Sequence, residues 1–273
     1  MQKILDILQK HRTLLALGTL LFISSCAVYC CNTQKNRSES IGHILPRESF
    51  VKLEKRIHVT VCPSESVKLT QCLDKKMGSS ASGFIFKNDD EGSYVITAAH
   101  VCDDSELKAF LRAVKGAELV NKTFRILNID NEKFNFITLK YDVDIDVCVG
   151  YVYGLAKPAV EVSKNGPIPG DVIYNLAAPI GIFNEQAIPI LNGHYIGESN
   201  NMAQYSVPAT GGSSGSPLLN SDGELVGLIH SVFVRFPFIT LSPTYKQLIS
   251  FIYTHSNKDI YLIEKLFKKS LDL

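Results

Sequence analysis

The sequence predicts an all-β fold, built either as a sandwich or as a pair of barrels. From residue 48 to residue 240, short apolar runs of β-forming residues alternate with turns rich in Asn, Asp, Gly and Ser. Strands that alternate with helices would instead predict a parallel sheet, and this stretch lacks that pattern. The strand-like runs cover residues 82–86, 94–97, 143–149, 172–174, 203–207 and 225–229.

Composition and charge exclude several classes of function. The chain has 273 residues, of which 45% are apolar and 20% are charged, as in an ordinary globular protein. Its 28 Lys and Arg residues balance 27 Asp and Glu residues, which argues against binding to nucleic acid. Seven cysteines are too few for a disulfide scaffold in a chain of this length, and none has the paired short spacing of a zinc site. We therefore expect no metal site and a fold that rests on its apolar core.

Residues 1–31 have the pattern of a membrane-targeting segment. A polar stretch with three basic residues precedes an uncharged apolar run over residues 14–23, a length typical of a signal peptide. The run ends in Ile-Ser-Ser-Cys, which resembles the lipobox of bacterial lipoproteins and implies lipid attachment to Cys26. The alternative is a single membrane span that continues through Cys31, with basic residues on both sides that leave its orientation open. Both interpretations predict a domain tethered to a membrane, and we favour the lipoprotein, which places the domain outside the cytoplasm.

The rest of the chain divides into three segments. Residues 32–47 are polar and lack periodicity, which is typical of a linker, and residues 48–255 form the main domain. Ser-Pro at positions 242–243 predicts a helix over residues 245–253, and residues 256–273 have the apolar spacing of an amphipathic C-terminal helix. We expect that last helix to pack on the domain surface, although three nearby lysines leave open a partner-binding or membrane-surface role. No helix is predicted elsewhere in the main domain.

A histidine follows one of the strand-like runs. Residues 94–97 are β-forming, and two alanines separate them from His100. A base at the end of a strand projects into a cleft, and small neighbours leave room there for a substrate. His100 is therefore a candidate general base.

Three aspartates alternate with apolar residues in the segment 142–150. If the whole segment is a strand, Asp142, Asp144 and Asp146 share one face, which could simply be a solvated acidic face. An aspartate that orients a histidine should precede a buried run in which apolar and small residues alternate. Asp146 meets this condition because Cys148 then takes the small position, whereas choosing Asp144 would place Asp146 there.

Glycines surround a serine in the segment 211–217. They allow the backbone N–H groups of Gly212 and Ser214 to face one developing oxyanion, although a flexible Gly/Ser turn is the alternative. Residues 211–215 also satisfy the nucleophile-elbow pattern of α/β-hydrolases. That pattern requires a helix next, but Pro217 and a predicted hairpin follow, so the α/β-hydrolase interpretation fails.

In the order His, Asp, Ser, the three segments resemble the motifs of the chymotrypsin-fold (trypsin-like) serine proteases. Residues 97–100 match the histidine motif, residues 146–149 the aspartate motif and residues 212–217 the nucleophile motif. Gly-Ser at 215–216 replaces the commoner Gly-Gly. The resemblance covers residues 50–250 and implies two antiparallel six-stranded β-barrels with the site between them, followed by a C-terminal helix.

The resemblance also implies residue roles. Ser214 is the nucleophile, His100 the general base and Asp146 the residue that orients His100, while the N–H groups of Gly212 and Ser214 bind the oxyanion. No metal or organic cofactor takes part, and the partner is a protein or peptide substrate.

The resemblance also bears on substrate specificity and cysteine pairing. Pro208 occupies the position from which related proteases bind basic side chains, so basic specificity is not expected, and Pro208, Thr210 and His230 are candidates for the substrate pocket. His230 lies one residue later than the histidine of glutamyl endopeptidases, so glutamate preference is a weak hypothesis, and a pocket-wall or structural role for His230 is favoured. Cys62 and Cys72 could bridge a loop, whereas Cys102 has no obvious partner.

Two alternatives to catalysis stay open. The first is an inactive, protease-like binding module at a membrane surface, and the presence of all three triad residue types argues against it. The second is a lipoprotein with a purely structural role, which would leave the segment 212–217 unexplained.

Overall fold

The computed structural model describes residues 41–62, 72–184, 187–233 and 235–255. The predicted signal or anchor segment 1–31, with Cys26, lies outside the described residues, as does the predicted amphipathic helix 256–273. Among the helices that are described, none is both long enough and apolar enough to span a bilayer.

The first barrel is a seven-stranded antiparallel sheet with the strand order β5-β4-β1-β2-β3-β7-β6. Its two outer strands, β5 and β6, are consecutive in the chain, and Phe136 alone separates them. The N–H of Phe136 donates to the carbonyl of Phe124 at 2.9 Å, so one bent strand closes the sheet. The strands are β1 Phe50–Val61, β2 Leu73–Asn88, β3 Gly92–Thr97, β4 Ala117–Leu127, β5 Lys133–Asn135, β6 Ile137–Asp142 and β7 Val147–Tyr153.

The second barrel repeats this construction with the order β12-β11-β8-β9-β10-β14-β13. Ile229 and His230 separate its outer strands, β12 and β13. The N–H of Ile229 donates to Ser216 at 2.9 Å and that of His230 to Leu241 at 3.0 Å, so the bend links the two edges of the sheet. The strands are β8 Val172–Leu176, β9 Ile190–Ser199, β10 Met202–Tyr205, β11 Pro217–Leu219, β12 Leu225–Leu228, β13 Ser231–Phe233 and β14 Phe236–Pro243.

These two sheets confirm the prediction of an all-β barrel pair. Each sheet has seven strands where six were expected, because the closing strand is bent and its two halves count separately. Inside the first barrel, Leu53, Ile85 and Val95 are fully buried. Inside the second, Ile173 and Leu218 are fully buried. Each such side chain contributes roughly 1.5–3 kcal/mol through removal from water, so the two cores hold the fold.

The described residues contain four α-helices: α1 Ile41–Ile44, α2 Ala99–Cys102, α3 Ser105–Ala113 and α4 Tyr245–His255. α4 confirms the helix predicted after Ser-Pro, and it buries Leu248, Phe251 and Ile252 against the domain. The expectation of no helix elsewhere in the domain was wrong, because α2 and α3 follow β3. α3 has nine residues and none of them is fully buried. Its apolar residues recur at helical spacing, at positions 107, 110 and 111, so the sequence did contain a signal for this helix.

The segment 142–149 is not one continuous strand, so the alternation expected from the sequence does not apply to it. β6 ends at Asp142, four residues form a turn, and β7 begins at Val147. The carboxylate of Asp142 accepts the N–H of Asp144 at 2.9 Å, a side-chain contact that favours a turn over a strand. Asp146 ends the turn with a φ of 52°.

Two disulfides join Cys62 to Cys72 and Cys102 to Cys148. The first agrees with the bridge considered from the sequence, whereas the second supplies a partner for Cys102 that the sequence did not reveal. The partners in the second disulfide are 46 residues apart, and closing a loop of this length contributes about 4 kcal/mol by constraining the unfolded chain. It ties α2 to β7 immediately beside the residues discussed next.

Candidate active site

His100 lies in α2, directly after the end of β3. Every residue of β3 is buried, and so are Ala98 and Ala99. The side chain of His100 is about half exposed, at 51%, and lines an open cleft. A buried strand followed by two alanines therefore brings a histidine ring to the surface of the cleft, as the sequence predicted.

Asp146 binds His100 at two points. Its Oδ2 lies 2.8 Å from Nδ1 of the imidazole, and its Oδ1 accepts the backbone N–H of His100 at 2.9 Å. Burial alone would raise the pKa of the Asp146 carboxyl, but hydrogen bonds from His100, supported by His230, outweigh burial and hold that pKa well below its usual range. Asp146 is thus ionised and orients His100 with Nε2 free for the cleft, while Asp144 is exposed to solvent.

His230 also contacts Asp146. Its Nδ1 lies 3.5 Å from Oδ2 of Asp146, at the outer limit of a hydrogen bond, and its side chain is only 16% exposed. The bend between β12 and β13 places it there. Of the pocket-wall and structural roles left open by the sequence, this contact favours a structural one, against the carboxylate that holds His100.

The turn that carries Ser214 follows β10. Within it, the N–H of Ser213 donates to Thr210 at 2.9 Å, and the N–H of Ser216 donates to Ser213 at 3.0 Å. The N–H of Gly215 donates to Ile229 at 2.7 Å. Within the described part of the chain, the N–H groups of Gly212 and Ser214 have no acceptor. They are therefore available to bind an anion, as predicted from the glycine pattern.

Two glycines of this turn are required by close packing as well as by backbone conformation. Gly215 has a φ of 84°, and a Cβ there would lie 2.2 Å from Oγ1 of Thr97, at the end of the histidine strand. Gly212 has a φ of 96°, and a Cβ there would lie 2.4 Å from the carbonyl of Ala178. Only glycine permits the backbone of the serine turn to come this close to its neighbours, so the turn packs directly against the segment that carries His100.

Ser82 in β2 joins the serine turn to the first barrel. It is fully buried, its N–H donates to the carbonyl of Ser214 at 2.8 Å, and its Oγ donates to the carbonyl of Gly212 at 2.8 Å. The same Oγ accepts the N–H of Ala178 at 2.9 Å, and the carbonyl of Ser82 accepts Oγ1 of Thr97 at 2.8 Å. The sequence did not reveal this role of Ser82, and the one available signal was a serine at the start of the apolar run 82–86.

His100 and Ser214 line one cleft of about 360 Å³, together with residues of β2, α2 and α3. Lys55 lies beneath it, and its Nζ donates to the carbonyls of Val101 at 3.2 Å and Asp103 at 3.0 Å. The same ammonium pairs with Asp104 at 2.8 Å. A buried lysine thus holds the C-terminal end of the helix that bears His100, a contact that no pattern in the sequence indicated.

Two predicted pocket residues do not line this cleft. Pro208 precedes the serine turn, and Thr210 lies within it, where its carbonyl accepts the N–H of Ser213. Among the described residues, no group of three or more His, Cys, Asp or Glu side chains is arranged to hold a metal ion.

Sequence comparison matches the chain to known peptidases. A family model described as a trypsin-like peptidase domain matches residues 81–228, which include His100, Asp146 and Ser214. The chain is 27% identical over 166 residues to HhoB of Synechocystis sp., a protein described as a serine protease. That match covers 57% of this chain and 35% of HhoB, so the chain matches about a third of its relative's length.

Structure comparison gives the same fold. The Rv3671c protease of M. tuberculosis in its active form superposes with a TM-score of 0.54 at 15% identity, over 80% of this chain and 84% of that one. A serine-to-alanine variant of the same protein in an inactive form gives a TM-score of 0.53 at 14% identity, over 80% and 91% of the two chains. The two barrels are therefore those of the chymotrypsin fold.

Replacement of Ser82 by alanine should destabilise the protein. Ser82→Ala leaves the carbonyl of Gly212 and the N–H of Ala178 without their buried partner, and each such loss costs about 1–3 kcal/mol. Denaturant unfolding of Ser82→Ala should therefore show a free energy of unfolding at least about 1 kcal/mol below that of the wild type. Ser79→Ala, which removes an exposed hydroxyl from the same strand, is the control and should change little. Equal effects of the two substitutions would contradict this role of Ser82.

Proposed function

Because the chain belongs to the trypsin-like peptidase family, we propose that it is a serine endopeptidase that cleaves peptide bonds through Ser214, His100 and Asp146. One observation carries the proposal: a carboxylate fixes His100 by two hydrogen bonds in the same cleft that Ser214 lines. The family supports the class of reaction, and this geometry supports the choice of residues.

The first half of the reaction forms an acyl-enzyme. Nε2 of His100 takes the proton of Ser214 Oγ while that oxygen attacks the peptide carbonyl. Asp146 holds the ring with Nδ1–H toward its carboxylate and stabilises the imidazolium that forms. His100 then gives the proton to the nitrogen of the leaving amine, and the carbon–nitrogen bond breaks.

The second half regenerates the enzyme. A water molecule gives a proton to His100 and attacks the ester carbonyl, and His100 returns that proton to Ser214 Oγ as the acid product leaves. In both halves the negative oxygen lies opposite the N–H groups of Gly212 and Ser214. Donors of this kind are each worth roughly 100-fold to 1,000-fold in rate.

We assign His230 as a positioning residue. It acts through Asp146, because its Nδ1 is near the oxygen that also binds His100. A second donor on one carboxylate restricts the rotation of that group and keeps it charged. Its engagement with Asp146 also argues against a role in binding glutamate side chains of substrates.

The location of the enzyme follows from its cysteines and its first 31 residues. Two disulfides favour an oxidising compartment outside the cytoplasm. The apolar run at 14–23 and the lipobox-like sequence before Cys26 support a lipoprotein tethered to a membrane by its N-terminus. Protein or peptide substrates at that surface are the proposed partners.

Ser214 is tested with a fluorophosphonate probe, which reacts only with an activated serine. The wild type and Ser213→Ala should be labelled, and Ser214→Ala should not. Turnover of a peptide substrate should fall by roughly 10⁶-fold in Ser214→Ala. Labelling that persists in Ser214→Ala, or a folded wild type that is not labelled, would refute the proposed function, and the second result would favour the inactive binding module.

His230 is tested by a pair of substitutions. His230→Leu removes the donor near Asp146, and we expect kcat to fall by about 10-fold to 100-fold with little change in KM, the size of one lost hydrogen bond to a charge. His230→Gln keeps an N–H donor and should retain most of the activity. Steady-state kinetics of both variants measure this effect, and thermal unfolding compares their stability. An equal loss of activity in the two variants would contradict the role.

Cys26 is tested by supplying a radioactive fatty acid to cells that produce the full chain. If Cys26 carries the lipid, the wild type should be labelled and should lose its first 25 residues, whereas Cys26→Ser should be unlabelled and keep them, because both steps need that thiol. Cys30→Ser is the matched control and should behave like the wild type. A wild type that stays in the membrane fraction unlabelled and uncleaved would instead indicate a single membrane span.

A further inference from the structure

An isoleucine with a left-handed backbone lies beside the serine turn. Ile180 follows β8 in a tight turn of residues 178–182, which we call the β8 turn, and its φ is 47°. A β-branched residue rarely adopts this conformation, since it costs roughly 1–2 kcal/mol. The side chain of Ile180 is 75% exposed, so burial in an apolar core does not hold the residue there. Its backbone must therefore be fixed by other contacts.

Backbone hydrogen bonds supply those contacts. The N–H of Ile180 donates to the carbonyl of Gly211 at 2.6 Å. Inside the β8 turn, the next two N–H groups donate to carbonyls three residues back, at 3.0 and 2.9 Å. Of these three bonds, the first alone reaches the serine turn. A Cβ at Gly212 would lie 3.0 Å from the Ile180 nitrogen, so the two backbones are in direct contact.

The bond from Ile180 acts on the peptide that carries an oxyanion donor. That peptide joins the carbonyl of Gly211 to the N–H of Gly212. In a trans peptide these two groups point in opposite directions. Because Ile180 holds the carbonyl, the N–H of Gly212 is directed away from the β8 turn, where it stays available to an anion.

The serine turn does not fix this peptide by its own sequence. Residues 210–213 form a β-turn closed by the N–H of Ser213, and it is of type II because Gly212 has a φ of 96°. A half-turn of the central peptide converts type II into type I and reverses the direction of its N–H. Glycine at both central positions makes that rotation easy, and a Cβ at Gly211 would have no neighbour within 4 Å. A contact from outside the turn is needed to select one orientation.

Ser82 does not make that selection. Its hydroxyl binds the carbonyl of Gly212, which belongs to the following peptide. The same hydroxyl accepts the N–H of Ala178 at 2.9 Å, so Ser82 anchors the start of the β8 turn instead. The anchored turn then presents the N–H of Ile180 to Gly211.

We propose that Ile180 is a positioning residue for the oxyanion site. Its N–H holds the peptide between Gly211 and Gly212 in the orientation that turns the Gly212 donor toward the developing oxyanion. The left-handed backbone is the conformation that brings this N–H to the Gly211 carbonyl, which explains why a strained residue is kept at an exposed position. The inference rests on the proposed function and deepens it, since Ile180 acts through Gly212 and touches no reacting atom.

An amide-to-ester exchange tests the N–H by itself. Incorporation of the α-hydroxy analogue of isoleucine at position 180 replaces the N–H by an oxygen and keeps the side chain. The same exchange at Ile182 is the matched control, because it removes a bond inside the β8 turn and spares the bond to Gly211. Two rates are compared. Labelling of Ser214 by a fluorophosphonate needs the oxyanion donors, whereas alkylation of His100 by iodoacetamide does not.

We expect the exchange at Ile180 to slow labelling by at least about 10-fold, the size of one hydrogen bond, and by up to the roughly 1,000-fold of a lost oxyanion donor. Alkylation of His100 should keep its rate, and kcat for a peptide should fall while KM changes little. The exchange at Ile182 should match the wild type. Equal slowing by the two exchanges, a parallel loss of labelling and alkylation, or unchanged labelling would overturn the inference.

Two ordinary substitutions separate the backbone of Ile180 from its side chain. Ile180→Pro lacks the N–H and cannot adopt a φ of 47°, so labelling should slow at least as much as with the ester. Ile180→Gly keeps the N–H, adopts a positive φ without strain and should retain most of the labelling rate. A loss in Ile180→Gly as large as in Ile180→Pro would assign the effect to the side chain and overturn the inference. A folded wild type that is not labelled would instead refute the proposed function, and the inference with it.

Discussion

The hydrogen bonds of Ser82 are the contact on which the site depends. This one buried residue uses its N–H, its carbonyl and its hydroxyl to join the strand next to His100 with the turn that carries Ser214. The two barrels have separate apolar cores, and His100 and Ser214 lie on different barrels. An error of 1 Å between the halves can cost 100-fold in rate, so the position of the turn must be fixed by directional contacts. Glycine at 212 and 215 lets the backbones come close enough for these contacts to form.

A second constraint acts on the charge of Asp146. The carboxylate is largely buried, which would favour its neutral form, yet a backbone N–H and the nearby rings of His100 and His230 keep it ionised. The disulfide between Cys102 and Cys148 links the chain two residues after His100 to the chain two residues after Asp146. Lys55 adds a third restraint from below by holding the carbonyls of Val101 and Asp103. The imidazole is therefore oriented before any substrate arrives, which is how a serine protease avoids reorganisation during the reaction.

The sequence predicted the fold class and the residues that meet in the cleft, because these depend on local signals. Strand-length apolar runs define the barrels, and short motifs define His100, Asp146 and Ser214. The choice of Asp146 over Asp144 also followed from the residues next to it.

What the sequence did not reveal depends on contacts between distant segments. The bonds of Ser82 reach residues up to 132 positions away. The partner of Cys102 and the contact of His230 with Asp146 exist only once the barrels close. α3 was not predicted although its apolar residues have helical spacing, because nine residues are fewer than the window over which such spacing is normally read.

The central claim is that Ser214 attacks a carbonyl whose oxygen is held by the N–H groups of Gly212 and Ser214, with His100 as the base. A crystal structure of the protein with a peptidyl boronic acid, which mimics the tetrahedral intermediate, tests this most directly. The account predicts a covalent bond from boron to Ser214 Oγ, one boronate oxygen within about 3 Å of both N–H groups, and His100 beside the other oxygen. A bond to Ser213, or a boronate oxygen directed away from Gly212, would contradict it.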